Sequence, residues 1–197
     1  MRVLLLLPPM TQLNAPYPAT AFLTGFLRSR QVACTQADLA IELVLRLFSR
    51  AGLERAQAEQ PARFPDAYLA TVDPVIRFLQ GRDPTLALRI ASRTYLPEGP
   101  RFRALSESGA DEADLLQAAF GDLGLQDKAK YLATLYLEDL ADAVQASLDP
   151  HFELARYAEK LAVSAPTFDR LHQALQQPPT LVDRMLDELT EEKIRAA

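Results

Sequence analysis

Apolar and polar positions follow two different rules along this chain, with a changeover near Leu39. Arg2-Val-Leu-Leu-Leu-Leu7 is an almost wholly apolar run ended by Pro8-Pro9, which cannot continue a hydrogen-bonded ladder. A run without polar alternation suits a strand covered on both faces, as in a parallel α/β sheet. A loop containing Asn14, Pro16 and Pro18 follows. Ala19 to Arg30 then places Phe22, Leu23, Phe26 and Leu27 at the spacing of one helical face. Val32 to Asp38 predicts a second short strand, and the crossover rule makes it a parallel, right-handed partner of the first. Together these segments predict the opening βαβ unit of a doubly wound domain.

Helical spacing takes over from Leu39, and no further convincing strand is found. Ala40 to Arg50 predicts a helix with a stop at Gly52, and Leu53 to Gln60 adds a further turn or two. Pro61 to Pro65 is a break, and Asp66 to Gln80 is helical. Inside that segment, either Asp73 caps a new helix with Pro74 at its first position, or the helix is kinked there. Gly81 ends it. Asp83-Pro84 repeats the cap-plus-proline device and opens a helix over Thr85 to Ser92. Tyr95 to Gly109, with Pro97, Gly99, Pro100 and Gly109, reads as an exposed loop. Asp111 to Gly121 predicts a short acidic helix. Leu125 to Leu148 predicts the longest one, with the stripe Leu132, Tyr136, Leu140, Val144 and Leu148 at a spacing of four. Asp149-Pro150 again reads as cap and proline. Helices over Phe152 to Ser164, Thr167 to Gln176 and Thr180 to Ile194 complete the chain.

The expected fold is therefore mainly α with a small α/β part. An N-terminal βαβ unit, part of a doubly wound, Rossmann-like sheet, spans residues 1–50, and a multi-helix region spans 51–197. A strand as apolar as Val3 to Leu7 belongs inside a sheet, yet only one partner is visible. The expectation is that the missing strands lie beyond residue 197 or come from a second copy, so that this is the front piece of a longer protein.

Composition narrows the class. Hydrophobic residues make up 49% and charged residues 24% of the 197, an ordinary globular balance rather than a disordered one. A net charge of -5 without any basic run argues against nucleic acid or an anionic membrane as the main partner. Cys34 is the single cysteine, which excludes an internal disulfide and a cysteine-only metal cluster within one chain. The N-terminal apolar run is shorter than a signal-peptide core, and no stretch approaches the roughly 20 residues a membrane helix needs. A cytoplasmic protein is the default expectation.

Several words of the sequence carry a resemblance. They are Pro8-Pro9 followed by Asn14-Ala-Pro-Tyr-Pro-Ala-Thr20, Gly25-Phe-Leu-Arg-Ser29, Gln36-Ala-Asp-Leu39 and Phe78-Leu-Gln-Gly81 with Pro84-Thr-Leu-Ala87. Gln126-Asp-Lys-Ala-Lys130, Leu135-Tyr-Leu-Glu-Asp-Leu140 and Arg156-Tyr-Ala-Glu159 within Phe152 to Leu161 complete the set. In sum the chain resembles the N-terminal part of radical SAM proteins that carry a cobalamin-binding (vitamin B12-binding) domain. The resemblance implies a two-part enzyme for methyl transfer or radical rearrangement. A doubly wound domain would hold cobalamin at the carboxyl edge of its strands. A following domain would hold an iron–sulfur cluster (4Fe-4S) and cleave S-adenosylmethionine, chemistry that belongs to the cofactors while the protein positions them. The loop after the first strand would then lie against the corrin ring, with Pro9, Met10, Thr11, Gln12, Asn14, Tyr17 and Thr20 as cofactor-binding residues.

The sequence departs from that pattern at the chemistry. It has no Cys-x3-Cys-x2-Cys, so this chain holds no radical centre, and it has no Asp-x-His-x-x-Gly to supply a histidine to cobalt. Gln31 stands after the first helix, where glycine would be the easier left-handed cap. Asp38 sits where a dinucleotide fold places its ribose acid, but no Gly-x-Gly-x-x-Gly precedes it, and a strand-to-helix cap accounts for it better.

Elsewhere the plainer readings prevail. Glu138, Asp139 and Asp142 read as a solvated helix face, because no histidine joins them at ligand spacing. His151 and His172 read as surface or capping residues, and Cys34 as a buried, inert thiol. The acids Glu107, Asp111, Glu112 and Asp114 suit a helix start. No nucleophile constellation is recognisable, and no catalytic residue is assigned. The leading expectation is a non-catalytic N-terminal portion of a cobalamin-dependent radical SAM enzyme, with the remainder of the same polypeptide as its partner. The alternative is a helical interaction module that completes its sheet by homodimerisation.

Overall fold

The computed structural model describes residues 2–9, 13, 17–59, 64–107, 124–154 and 167–197. Helices dominate, and the described residues contain a single two-stranded sheet at the N-terminus. The chain divides into two compact units: Met1–Leu47 with His151–Ala197, and Phe48–Pro150. The units change over at Leu47/Phe48 and again at Pro150/His151.

In the first unit, β1 (Arg2–Leu7) pairs in parallel with β2 (Ala33–Asp38), in the register Arg2 to Ala33 through Leu7 to Asp38. Helix α1 (Ala19–Ser29) makes the crossover. The predicted βαβ unit is present, but its burial differs from expectation. Only Leu7 of β1 is buried, and Val3 to Leu6 are half-buried. Two strands leave each with an unpaired edge among the described residues.

The orientation of α1 also corrects the expected packing face. Phe22 is 76% exposed and Phe26 57%, with Leu23 exposed beside them. The inward stripe is instead Thr20, Thr24 and Leu27, with Thr24 buried. Polar contacts accompany it. The Thr24 hydroxyl approaches Gln36 Oε1 at 3.4 Å, and the Arg28 guanidinium donates to the Cys34 carbonyl at 3.1 and 3.3 Å. Periodicity alone shows that an apolar stripe exists. It does not show that a polar stripe holds the better hydrogen-bond partners.

α1 closes with Gln31 at φ 60°, its N–H donating to the Arg28 carbonyl while Val32 N–H donates to that of Leu27. This is a Schellman turn on a residue other than glycine. Asp38 Oδ1 accepts from Ile41 N–H at 3.0 Å and so caps α2 (Leu39–Leu47), as the sequence suggests. Leu39, Leu43 and Leu47 of α2 are buried, as are Leu181, Met185 and Leu189 of α9 (Leu181–Ala196), and the two helices pack together. Their flanks carry Arg46–Glu192 at 2.6 Å and Lys193–Glu42 at 2.5 Å. A capping box between Thr180 and Asp183 starts α9. The short α8 (Phe168–Gln176) precedes it.

The second unit is helical. α3 (Arg50–Glu59) begins where Ser49 Oγ accepts from Gly52 N–H, so Gly52 is a buried position inside a helix and not the predicted stop. α4 (Asp66–Leu79) runs through Pro74 without interruption. Asp73 therefore does not cap a new helix at Pro74; its carboxylate accepts from Arg50 N–H at 3.0 Å and caps α3 from a neighbouring element. Gly81, at φ 73°, closes α4 as expected. Pro84–Leu86 forms a 3-10 turn leading into α5 (Ala87–Ala91). The predicted loop from Tyr95 becomes a helix at α6 (Pro100–Glu107), whose Phe102 and Leu105 are buried.

α7 (Leu125–Ser147) is the spine on which α4, α5 and α6 pack. All five residues of its predicted stripe are buried. Phe152 to Leu154 are not helical, and the rest of the helix predicted to Ser164 lies outside the described residues, as does the one predicted over Asp111 to Gly121.

Candidate functional site

Of the predicted cofactor loop, Met10, Thr11, Gln12 and Asn14 lie outside the described residues. Pro9 is half-buried just past β1, Tyr17 is exposed, and Thr20 is half-buried in the first turn of α1. Leu7 and Asp38 end the two strands side by side, so the loop leaves from the carboxyl end of the pair. That is where parallel sheets receive ligands. The carboxylate of Asp38 is engaged by α2, and Tyr17 and Thr20 supply the hydroxyls. No histidine stands between Pro8 and Thr20 to serve as a ligand to cobalt.

A second candidate stands in the helical unit. A cavity of about 480 Å³ is lined by Phe64, Pro65 and Tyr68 around the start of α4, by Glu98, Gly99 and Pro100 at the start of α6, and by Asp139, Leu140, Ala143 and Ser147 of α7. Its organiser is Asp139. This side chain is only 6% exposed, which corrects its assignment to a solvated face. Its carboxylate accepts from Gly99 N–H at 3.0 Å and Arg101 N–H at 2.9 Å, satisfying the first turn of α6. Burial pushes the Asp139 carboxyl up from its ordinary value, against the pull of those two N–H groups.

The fit around that carboxylate is close. A Cβ built on Gly99 would stand 2.5 Å from the Asp139 carboxylate, so any larger residue forces that carboxylate to shift. The Arg101 guanidinium turns to Asp142, at 2.7 Å, and to Glu138, at 3.8 Å. Glu98 pairs with Arg93. On the other wall, Tyr68 stacks on Tyr136 with ring centroids 5.1 Å apart. The Tyr136 hydroxyl bonds the Tyr68 carbonyl at 3.2 Å and the Thr71 hydroxyl at 3.0 Å. Burial, with the Asp139 charge second, pushes the Tyr68 phenol up to about 12.

The sequence reading missed this site because its parts lie far apart in the chain. One clue was available. Gly99-Pro100 is a cap residue followed by proline at the first helical position, the device recognised at Asp83-Pro84. Among the described residues no group of three or more histidine, cysteine, aspartate or glutamate side chains is placed to hold a metal, and no helix is long and apolar enough to cross a membrane. His151 and His172 are exposed, the latter stacked on Phe168. Cys34 is buried against Thr24. No family model, no curated protein and no solved structure matches the chain.

Proposed function

We propose that this chain supplies the opening βαβ part of a cobalamin-binding fold within a cobalamin-dependent radical SAM enzyme, and that it is not catalytic alone. The observation that carries the reading is the parallel β1–β2 pair, joined through α1 and unpaired at both outer edges among the described residues. The loop from Pro9 to Thr20 leaves this pair at its carboxyl end, which suits a ligand-binding role. Methyl transfer or radical rearrangement belongs to the whole enzyme, because the cluster motif is absent from this sequence. Iron–sulfur cluster and S-adenosylmethionine therefore sit elsewhere in that enzyme. The gene beyond the Ala197 codon is the test. A frame continuing into further strands and Cys-x3-Cys-x2-Cys supports the reading, and a stop codon directly after Ala197 defeats it.

A second reading is homodimerisation through the same unit, favoured by the exposed rings of Phe22 and Phe26 on α1. Covering one such ring stabilises by about 1.5–3 kcal/mol. Light scattering at micromolar concentration separates the two. A dimer that Phe22→Gln and Phe26→Gln dissociate favours the module, and a monomer removes it.

A further inference from the structure

We infer that the cavity between the start of α4, the start of α6 and α7 binds a small organic cation, an amidinium or ammonium group carried on a flat apolar body. Its volume of about 480 Å³ falls within the range of small-molecule sites. Phe64, Tyr68, Leu140 and Ala143 give it an apolar lining with two aromatic rings, which suits a planar hydrocarbon body.

The polar end is anionic. Glu98 and Asp139 are the charged residues among those lining the cavity, and neither lysine nor arginine lines it. Arg93 answers Glu98, so Asp139 sets the preference. Its two oxygens each accept one backbone N–H, which leaves further lone pairs for a ligand donor. A carboxylate in so dry a position favours a partner that brings both positive charge and N–H groups, and a planar amidinium does both. An anionic ligand meets like charge there, and a neutral N–H donor such as benzamide brings no positive charge of its own to pair with the carboxylate.

This site lies within the Phe48–Pro150 unit and owes nothing to cobalamin or to the loop after β1. The experiment titrates the full chain with benzamidinium chloride, benzamide and sodium benzoate, following amide shifts by NMR and melting temperature in parallel. Saturable binding of benzamidinium, at least tenfold tighter than that of the other two and with shifts at Tyr68, Gly99 and Ala143, is the expected result. Ala143→Leu fills the cavity from a good helix former while leaving Asp139 and its hydrogen bonds in place; it should weaken benzamidinium at least tenfold with helical content unchanged. Glu98→Gln should weaken it less than Asp139→Asn does. Absence of benzamidinium binding, equal binding of the three probes, or full affinity in the Ala143→Leu protein overturns the inference.

Discussion

In the Phe48–Pro150 unit, α7 buries its whole apolar stripe, and α3 and α6 receive carboxylates from neighbouring helices at their N-termini. In the other unit, α1 turns Phe22 and Phe26 to solvent, and β1 keeps four of its apolar residues only half-covered. The unit that holds the sheet is thus the less finished one. Burial of apolar area is the main stabilising term in folding, so equal truncations should have unequal effects in the two places. Leu140→Ala, at a position 1% exposed, is expected to cost about 3 kcal/mol. Phe26→Ala, at a position 57% exposed, should cost less than about 0.5 kcal/mol. Urea unfolding of both variants measures the contrast. Equal losses would mean that α1's outer face is covered in solution, as dimerisation requires.

The cross-helix caps should give the next largest effect. Asp139→Ala leaves the N–H groups of Gly99 and Arg101 without their acceptor and should lower stability by about 2 kcal/mol. Gly99→Ala should act in the same direction, because its new methyl group displaces that carboxylate. A thermal melt of each variant tests this. No loss on Asp139→Ala would make the carboxylate a ligand group alone and not a structural one.

The stacked tyrosines predict a pH response with a definite sign. Tyr68 has its pKa raised from the usual 10.0 to about 12, so the folded protein holds the phenolic proton over a range where the unfolded chain releases it. The stability contribution is complete below pH 10 and is lost as pH rises through about 12. Tyr68→Phe should flatten this alkaline limb, as seen in urea midpoints taken across that range. A limb of unchanged slope would place the responsible group elsewhere.

How much of this the sequence reveals depends on how local each cause is. Pro8-Pro9 after an apolar run, Asp38 before Leu39, Thr180 three residues before Asp183, and the fourfold spacing from Leu132 to Leu148 are all causes acting within a few residues, and each produced the predicted element. Asp73 and Asp139 failed to reveal themselves because each caps a helix distant in sequence: Asp73 is 23 residues from Arg50, and Asp139 is 40 from Gly99. Helix Pro100–Glu107 was hidden for a related reason. Its glycine and prolines read as loop residues until Asp139 supplies the partner for its first turn. On α1, the apolar stripe was visible but its destination was not, since the face turned inward is the one that hydrogen-bonds β2, a partner outside the helix.

The smallest predicted effect compares one turn in both units. Gln31 and Gly81 each follow a helix at positive φ, 60° and 73°, and each is closed by the same pair of backbone hydrogen bonds. A side chain in that conformation costs about 1–2 kcal/mol, which glycine avoids, although glycine loses more chain entropy on folding. Gln31→Gly should therefore stabilise by about 0.5 kcal/mol net. Gly81→Ala should destabilise by about 1 kcal/mol, and backbone strain alone is responsible, since nothing lies within 4 Å of its Cβ. Paired urea titrations measure both. If Gln31→Gly is instead destabilising, the glutamine side chain contributes at the carboxyl end of α1, and the less finished unit is held by a contact that the more finished one does without.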